Sequence, residues 1–215
     1  MGTVMALAAV TAGVATLDPS ALGPALLAAS VAIAAPLLIH PWLASRELRR
    51  QTFDGTLARS YLDALTQTFM IRQLQPWHEN IGKRQVKSPK IYFRDSGLFH
   101  RLQGISSWDA MQTHPKLGAS WEGFALEETL KAAAPDEACF WAVHSGSELD
   151  LLMFRNGRRT GVEFKRSDAP RMTRSMGIAM NDLKLDELIV IYPGIRSYEL
   201  AERVRVLPLT EIAAI

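Results

Sequence analysis

The dipeptide Asn156-Gly157 stands between two strand-like runs in the stretch ELDLLMFRNGRRTGVEFKRS, residues 148–167. A two-residue type I′ turn needs positive φ at both central positions, and Asn-Gly is the pair that supplies it most readily. The spacing therefore predicts a tight hairpin in which Arg155 faces Arg158, Asp150 faces Glu163, and Glu148 faces Lys165. Side chains alternate along a strand, so 148, 150, 163 and 165 are expected on one face of the sheet. Leu149, Leu151, Val162 and Phe164 are expected on the other.

Like charges set directly opposite one another destabilise a sheet. Asp150 against Glu163 therefore calls for a compensating cation. A hard divalent ion such as Mg2+ or Mn2+, held by carboxylate oxygens and keeping several waters, supplies one. Lys165, one step along the same face, would hold or activate a water, or stabilise negative charge developing on a phosphate. The residue types suit metal-assisted hydrolysis of a phosphodiester. A plainer reading stands beside this one: the charges form a solvated hairpin face, with Glu148–Lys165 a cross-strand ion pair of about 0.2–1 kcal/mol. A slip of one residue at the turn would undo the facing pairs.

The surrounding pattern is that of an α/β chain. From Thr56 an apolar stripe of Leu57, Tyr61, Leu65 and Phe69, with Leu62 and Ile71 alongside, predicts a helix of about five turns ended by Pro76. KIYFRD reads as a short strand, SGLFHRLQGI as a helix capped by Ser96, and GASWEGFALEETLKAAA as a helix preceded by Ser120. Strands follow in ACFWAVH, SELDLLMF and RTGVEFK, then a helix across 172–184, then the strands ELIVIYPG and RVRVLPL. Helix, three strands, helix and strand point to a mixed sheet flanked by helices.

The charge distribution is uneven. Residues 1–44 contain no Lys or Arg and one acid, Asp18, leaving 24 basic residues against 21 acids in 45–215, a balance of +3 there. The segment 21–43 is an uncharged run of 23 residues followed by SRELRR, enough to span a bilayer core and flanked as a cytoplasmic end would be. Against a span, the run is Ala-rich and interrupted by Pro24 and Pro36; a packed helical hairpin or an Ala-rich extension are the alternatives. Cys139 is the single cysteine, so no internal disulfide forms, and a cytoplasmic location is expected, with membrane anchoring as the alternative. The five histidines show no zinc-ligand spacing.

KRQVKSPKIYFR carries Lys83, Arg84, Lys87, Lys90 and Arg94 with Tyr92 and Phe93 interleaved, and Arg171 and Arg174 follow the candidate metal site. These are candidate nucleic-acid backbone contacts, with an ordinary solvated basic loop as the alternative. His144 and Ser147 lack any nucleophile elbow or ordered triad. Trp77, Trp121 and Trp141 are expected in the core.

Asp150 and, thirteen residues on, Glu163-Phe164-Lys165 resemble the core motif of the PD-(D/E)XK nuclease superfamily. The stretches YLDALTQTFMIRQLQPWHENIGKRQVKSPKIYFRDSGLFHRLQGI, HPKLGASWEGF, SGSELDLLM, GVEFKRSDAPRMTRSM and LIVIYPG are similar to domain of unknown function 4143 (DUF4143), over roughly residues 57–210. In prokaryotes that domain is typically fused behind an AAA-type ATPase module. The resemblance implies a restriction-endonuclease-like fold. It implies metal ligation by Asp150, Glu163 and the Phe164 carbonyl, a catalytic Lys165, and an auxiliary acid in Glu122. Residues 45–75 would then be the last helix of a winged-helix-like region, and 76–215 the nuclease-like domain. The only Gly-Lys, in IGKR, is no P-loop, so ATP is not expected here and any ATPase partner would act in trans. No Gln follows Gln112, so the Gln-bearing helix motif of RecB-like nucleases is missing. Three readings remain open: a Mg2+- or Mn2+-dependent DNA nuclease, a catalytically silent module that binds DNA or docks on an ATPase, and a truncated family relic.

Overall fold

The computed structural model describes residues 55–215; the apolar run 21–43 and its membrane-anchor reading lie outside the described residues. Among the described residues no helix is long and apolar enough to cross a membrane. Helix α1 (Gly55–Gln67) falls in one compact unit, and residues 68–215 form another.

α1 ends at Gln67, short of the five turns expected from its apolar stripe. Phe69 adopts φ 60, a left-handed conformation that an aromatic residue rarely takes, and the chain leaves it as a strand. Ile71 belongs to that strand, β1 (Ile71–Pro76), which pairs antiparallel with β2 (Lys90–Phe93) and parallel with β3 (Glu137–Ala142). Tertiary pairing on both edges outweighs the helical spacing here.

The remaining elements of this unit are α2 (Ser96–Leu102), α3 (Trp108–Gln112), α4 (Leu117–Ala133), β4 (Glu148–Arg155), β5 (Arg158–Phe164), α5 (Arg174–Asp182), β6 (Glu187–Tyr192), β7 (Tyr198–Ala201), β8 (Val204–Pro208) and a closing 3-10 turn, Leu209–Ala214. The cap of α2 is Asp95, whose Oδ1 accepts the Leu98 N–H at 2.9 Å, and Ser96 is its first residue. Ser120 lies inside α4, buried. The eight strands form one mixed sheet in the order β2-β1-β3-β4-β5-β6-β8-β7, with β5, β6 and β8 parallel to one another.

Helices cover both faces of the sheet, so its central strands are apolar on both sides. On one face α4 contributes Ala125, Leu126, Leu130 and Ala133 against Phe140, Leu151, Val162, Ile189 and Ile191. On the other, Met176, Ala179, Met180, Leu183 and Leu185 of α5 and its exit pack on Trp141, Leu149, Leu152, Leu188 and Val190. Gly161 permits the close approach on this second side: a Cβ there would lie 2.5 Å from Leu185 Cδ1. Buried Glu127 of α4 receives the Arg72 guanidinium at 2.5 and 3.0 Å and Arg94 Nε at 3.4 Å, which fixes α4 over β1. A buried carboxylate requires such pairing, because removing one partner strands a charge.

Candidate functional site

The hairpin forms as the Asn-Gly signal requires. Asn156 has φ 50 and Gly157 φ 75, and the ladder runs from Arg155↔Arg158 to Leu151↔Val162. There it stops. Asp150 instead turns its side chain onto the partner strand, Oδ2 accepting the Phe164 backbone N–H at 3.0 Å. On the opposite edge of β4, Leu152 pairs with Cys139 and Leu149 with Trp141, so three steps along β4 match two along β3. This is a β-bulge, a device that re-aims side chains and recurs next to active sites. It also corrects the simple alternation: Leu151 lies in the core under α4, whereas Leu149 lies in the core under α5.

The expected Glu148–Lys165 pair does not form. Beyond the end of the ladder no backbone bonds hold these residues opposite, and each finds another charge. Glu148 pairs with Lys90 Nζ, and Lys165 Nζ lies 2.6 Å from Glu163 Oε2. Lys90, at the start of β2, also stands 3.5 Å from Asp150 Oδ1 and 3.7 Å from Glu122 Oε1. α4 carries Glu122 in, and Tyr92 of β2 donates its hydroxyl to it at 2.6 Å. Four acids thus converge from α4, β4 and β5, with Asp150 only 8% and Glu163 3% exposed. A cavity of about 430 Å³ opens onto Asp150, Glu163, Lys165 and the first turn of α5, Thr173–Ser175.

Burial, and after it the Asp150 carboxylate, push the Glu163 carboxyl up to about 7. The same two causes, in the same order, raise that of Glu122, although Lys90 and the Tyr92 hydroxyl pull the other way. Burial opposes the ammonium of Lys165, yet Glu163, Asp150 and Glu122 together raise its pKa. Lys90 is raised likewise, Asp150 and Glu122 outweighing its burial. Burial and Glu122 raise the Tyr92 phenol, so it remains a donor. The site is therefore an acid cluster whose negative charge its own two lysines only partly offset.

Among the described residues no three His, Cys, Asp or Glu side chains stand together as a ready-made metal cage. The donor set is nonetheless hard oxygen, from two buried carboxylates that lack enough positive charge between them, and it fits a divalent cation of the Mg2+ type. Phe164 serves the site through its amide, which orients Asp150.

The basic candidates separate by position. Lys90 faces the acids, while Lys83, Arg84, Lys87, Arg171 and Arg174 are exposed. Lys83 reaches Asp182 of α5 at 2.5 Å, and Arg174 lines the acidic cavity. Sequence reading missed Lys90 and Tyr92 as partners of the acids, because their strand lies four neighbours away from β5 in the sheet. Ser175, whose Oγ accepts the Glu148 N–H at 3.4 Å, was missed as well, and the helix start it marks was its only sequence signal.

Comparison with known proteins places this geometry in context. Residues 117–212 match the family described as Domain of unknown function (DUF4143), and residues 43–109 match Domain of unknown function (DUF8612). Uncharacterized proteins of Mycobacterium tuberculosis and Mycobacterium bovis are each 44% identical over 193 residues, covering 85% of this chain and 44% of the relative. The chain thus spans less than half the length of these curated relatives. No solved structure matches it.

Proposed function

With residues 117–212 belonging to the DUF4143 family, we propose that the end of the β4–β5 hairpin is a metal-dependent phosphodiester-hydrolysing site acting on DNA. The mixed sheet flanked by helices would then be a restriction-endonuclease-like, PD-(D/E)XK fold. The observation that carries this reading is the convergence of buried Asp150 and Glu163, with Lys165 beside them, on a cavity at the carboxyl end of β5.

Asp150 and Glu163 would hold Mg2+ or Mn2+, which when bound supplies charge stabilisation to the phosphate oxygens and a more acidic water. The rest follows from the chain's own groups. The Phe164 N–H fixes one Asp150 oxygen and so orients the carboxylate. Lys165, beside Glu163, would direct its ammonium at the phosphate. Tyr92 and Lys90 hold Glu122 and Glu148 in position. Thr173 and Ser175, at the start of α5, present a helix N-terminus that suits a phosphate oxygen. Arg171 and Arg174 would meet the flanking backbone.

A second reading has an observation of its own. Lys90 and Lys165 already pair with the acids, an arrangement that also suits a catalytically silent module that binds DNA or docks on an ATPase. The test is cleavage of plasmid and single-stranded DNA by the full chain with Mg2+ or Mn2+, with EDTA, Asp150→Ala and Lys165→Ala as controls. Metal-dependent cutting lost in both variants supports the hydrolytic site. Folded protein that binds DNA without cutting it leaves the silent module.

A further inference from the structure

A second cavity of about 430 Å³ lies where α2, α3 and α4 meet the loop leaving β5. Its walls include Trp108, Trp121, Phe124 and Met111, with Gln112 and Arg166 among its polar members. Trp108 is 68% and Phe124 42% exposed, more than large aromatic side chains without a partner usually are. Trp121, expected in the core from sequence, lines this cavity, and its ring centroid lies 6.5 Å from that of Phe124. Gln112 Oε1 accepts a hydrogen bond from Arg166 Nη2 at 2.8 Å, which sets an amide at the wall.

The position is as informative as the lining. Arg166 directly follows Lys165, and consecutive Cα atoms are about 3.8 Å apart. One strand end thus serves both cavities: Glu163 and Lys165 border the acidic one, and Arg166 to Asp168 border the aromatic one. Both lie beyond the carboxyl ends of the parallel strands β5 and β6, where α/β sheets bind their ligands. A polyanion whose phosphate rests at Lys165 would round the end of β5, from the α5 side to the α4 side, to reach the aromatic walls. Bases of an intact duplex are stacked inside it and cannot enter such a cavity, whereas an unpaired base can lie on an aromatic ring.

We propose that this cavity binds an unpaired nucleobase of a single-stranded nucleic acid, with Trp108 and Phe124 as stacking surfaces and the Gln112 amide facing the base edge. This rests on the hydrolytic reading for the placement of the phosphate, and it gives that site a preference for single-stranded or locally unpaired substrate.

The test uses the full chain in EDTA, with a short fluorescein-labelled single-stranded DNA read by anisotropy. Trp108→Ala is expected to weaken binding about tenfold, in line with the loss of one stacked base. Affinity for a duplex of the same sequence should not change. Moving a single abasic position along the strand should find one place where the wild type weakens by a similar factor and Trp108→Ala loses nothing more. Phe124→Ala repeats the experiment from the other wall, and circular dichroism verifies that each variant is folded. Unchanged single-strand affinity in both variants, or an abasic penalty equal in wild type and Trp108→Ala, overturns the base pocket. Asp150-dependent cutting of plasmid alongside that result would leave the hydrolytic reading standing. Trp108-dependent, abasic-sensitive binding by a protein that never cuts DNA would keep the pocket and remove the hydrolytic reading.

Discussion

The two ends of the β4–β5 hairpin use the same two strands in different ways. At the turn, backbone hydrogen bonds dictate every position: Asn156 and Gly157 take positive φ, and the ladder holds its register from Arg155↔Arg158 to Leu151↔Val162. At the open end the ladder has stopped, β4 carries a bulge against β3, and side chains set the geometry. There Asp150 reaches across to the Phe164 amide, and Glu148, Glu163 and Lys165 take partners chosen by charge. Arg155 and Arg158 at the turn end are solvated, while Asp150 and Glu163 at the open end are buried. A strand end freed from backbone pairing can gather charges that a regular ladder would keep apart. Maintaining them there requires cations.

The largest contrast should appear in catalysis. Asp150→Ala is expected to lower metal-dependent DNA cleavage by about 10³-fold or more, and Arg158→Ala at the turn end to leave it within a few-fold. Equal losses in the two variants, measured as initial rates, would dissolve the functional difference between the ends.

Packing gives the next effect in size. Leu152 is fully buried under α5, so Leu152→Ala should cost about 2–5 kcal/mol by urea denaturation. Exposed Arg155→Ala should stay within about 0.5 kcal/mol. A loss at Leu152 no greater than that at Arg155 would show that the bulged half of β4 is not packed as described.

A stability decline between about pH 4.5 and 7 should belong to the open end. The Glu163 carboxyl is raised from 4.5 to about 7 in the folded protein, so between those values the folded chain keeps a proton that the unfolded chain gives up. Its contribution to metal-free stability is therefore fully present below about 4.5 and lost as the pH rises towards 7. Denaturation midpoints measured across that window should show this decline, and Glu163→Gln should flatten it. A midpoint that rises with pH through the window in wild type and variant alike would mean that Lys165 keeps Glu163 ionised.

The smallest effect belongs to the turn. Gly157→Ala places a Cβ at φ 75 and should cost about 1 kcal/mol without altering DNA cleavage. A change in cleavage would show that turn and site are coupled along the hairpin.

Sequence reading recovered the turn half almost completely, because its signals are local: an Asn-Gly pair and alternation on either side. The strands β3, β5, β6 and β8 and the helix α4 were legible for the same reason, each being a continuous run with its own period. The open half was legible in composition but not in contacts. Asp150, Glu163 and Lys165 could be named, yet a bulge leaves no mark in a chain of apolar residues, and it reversed the face of Leu149. Lys90 and Tyr92 read as a short strand at the end of a basic stretch, and only the sheet order brings them to the acids. β1 was hidden because IRQLQP carries a mixed pattern that its two neighbouring strands convert into a strand.

The central claim is that the buried acids at the open end form a site for a divalent cation. Calorimetric titration of Mn2+ into the metal-free full chain, beside Asp150→Ala, tests it most directly. The account predicts saturable binding by the wild type, accompanied by proton release near pH 7 from Glu163, and no comparable binding by the variant. Identical titration curves for the two proteins, or no binding by a folded wild type, would contradict it.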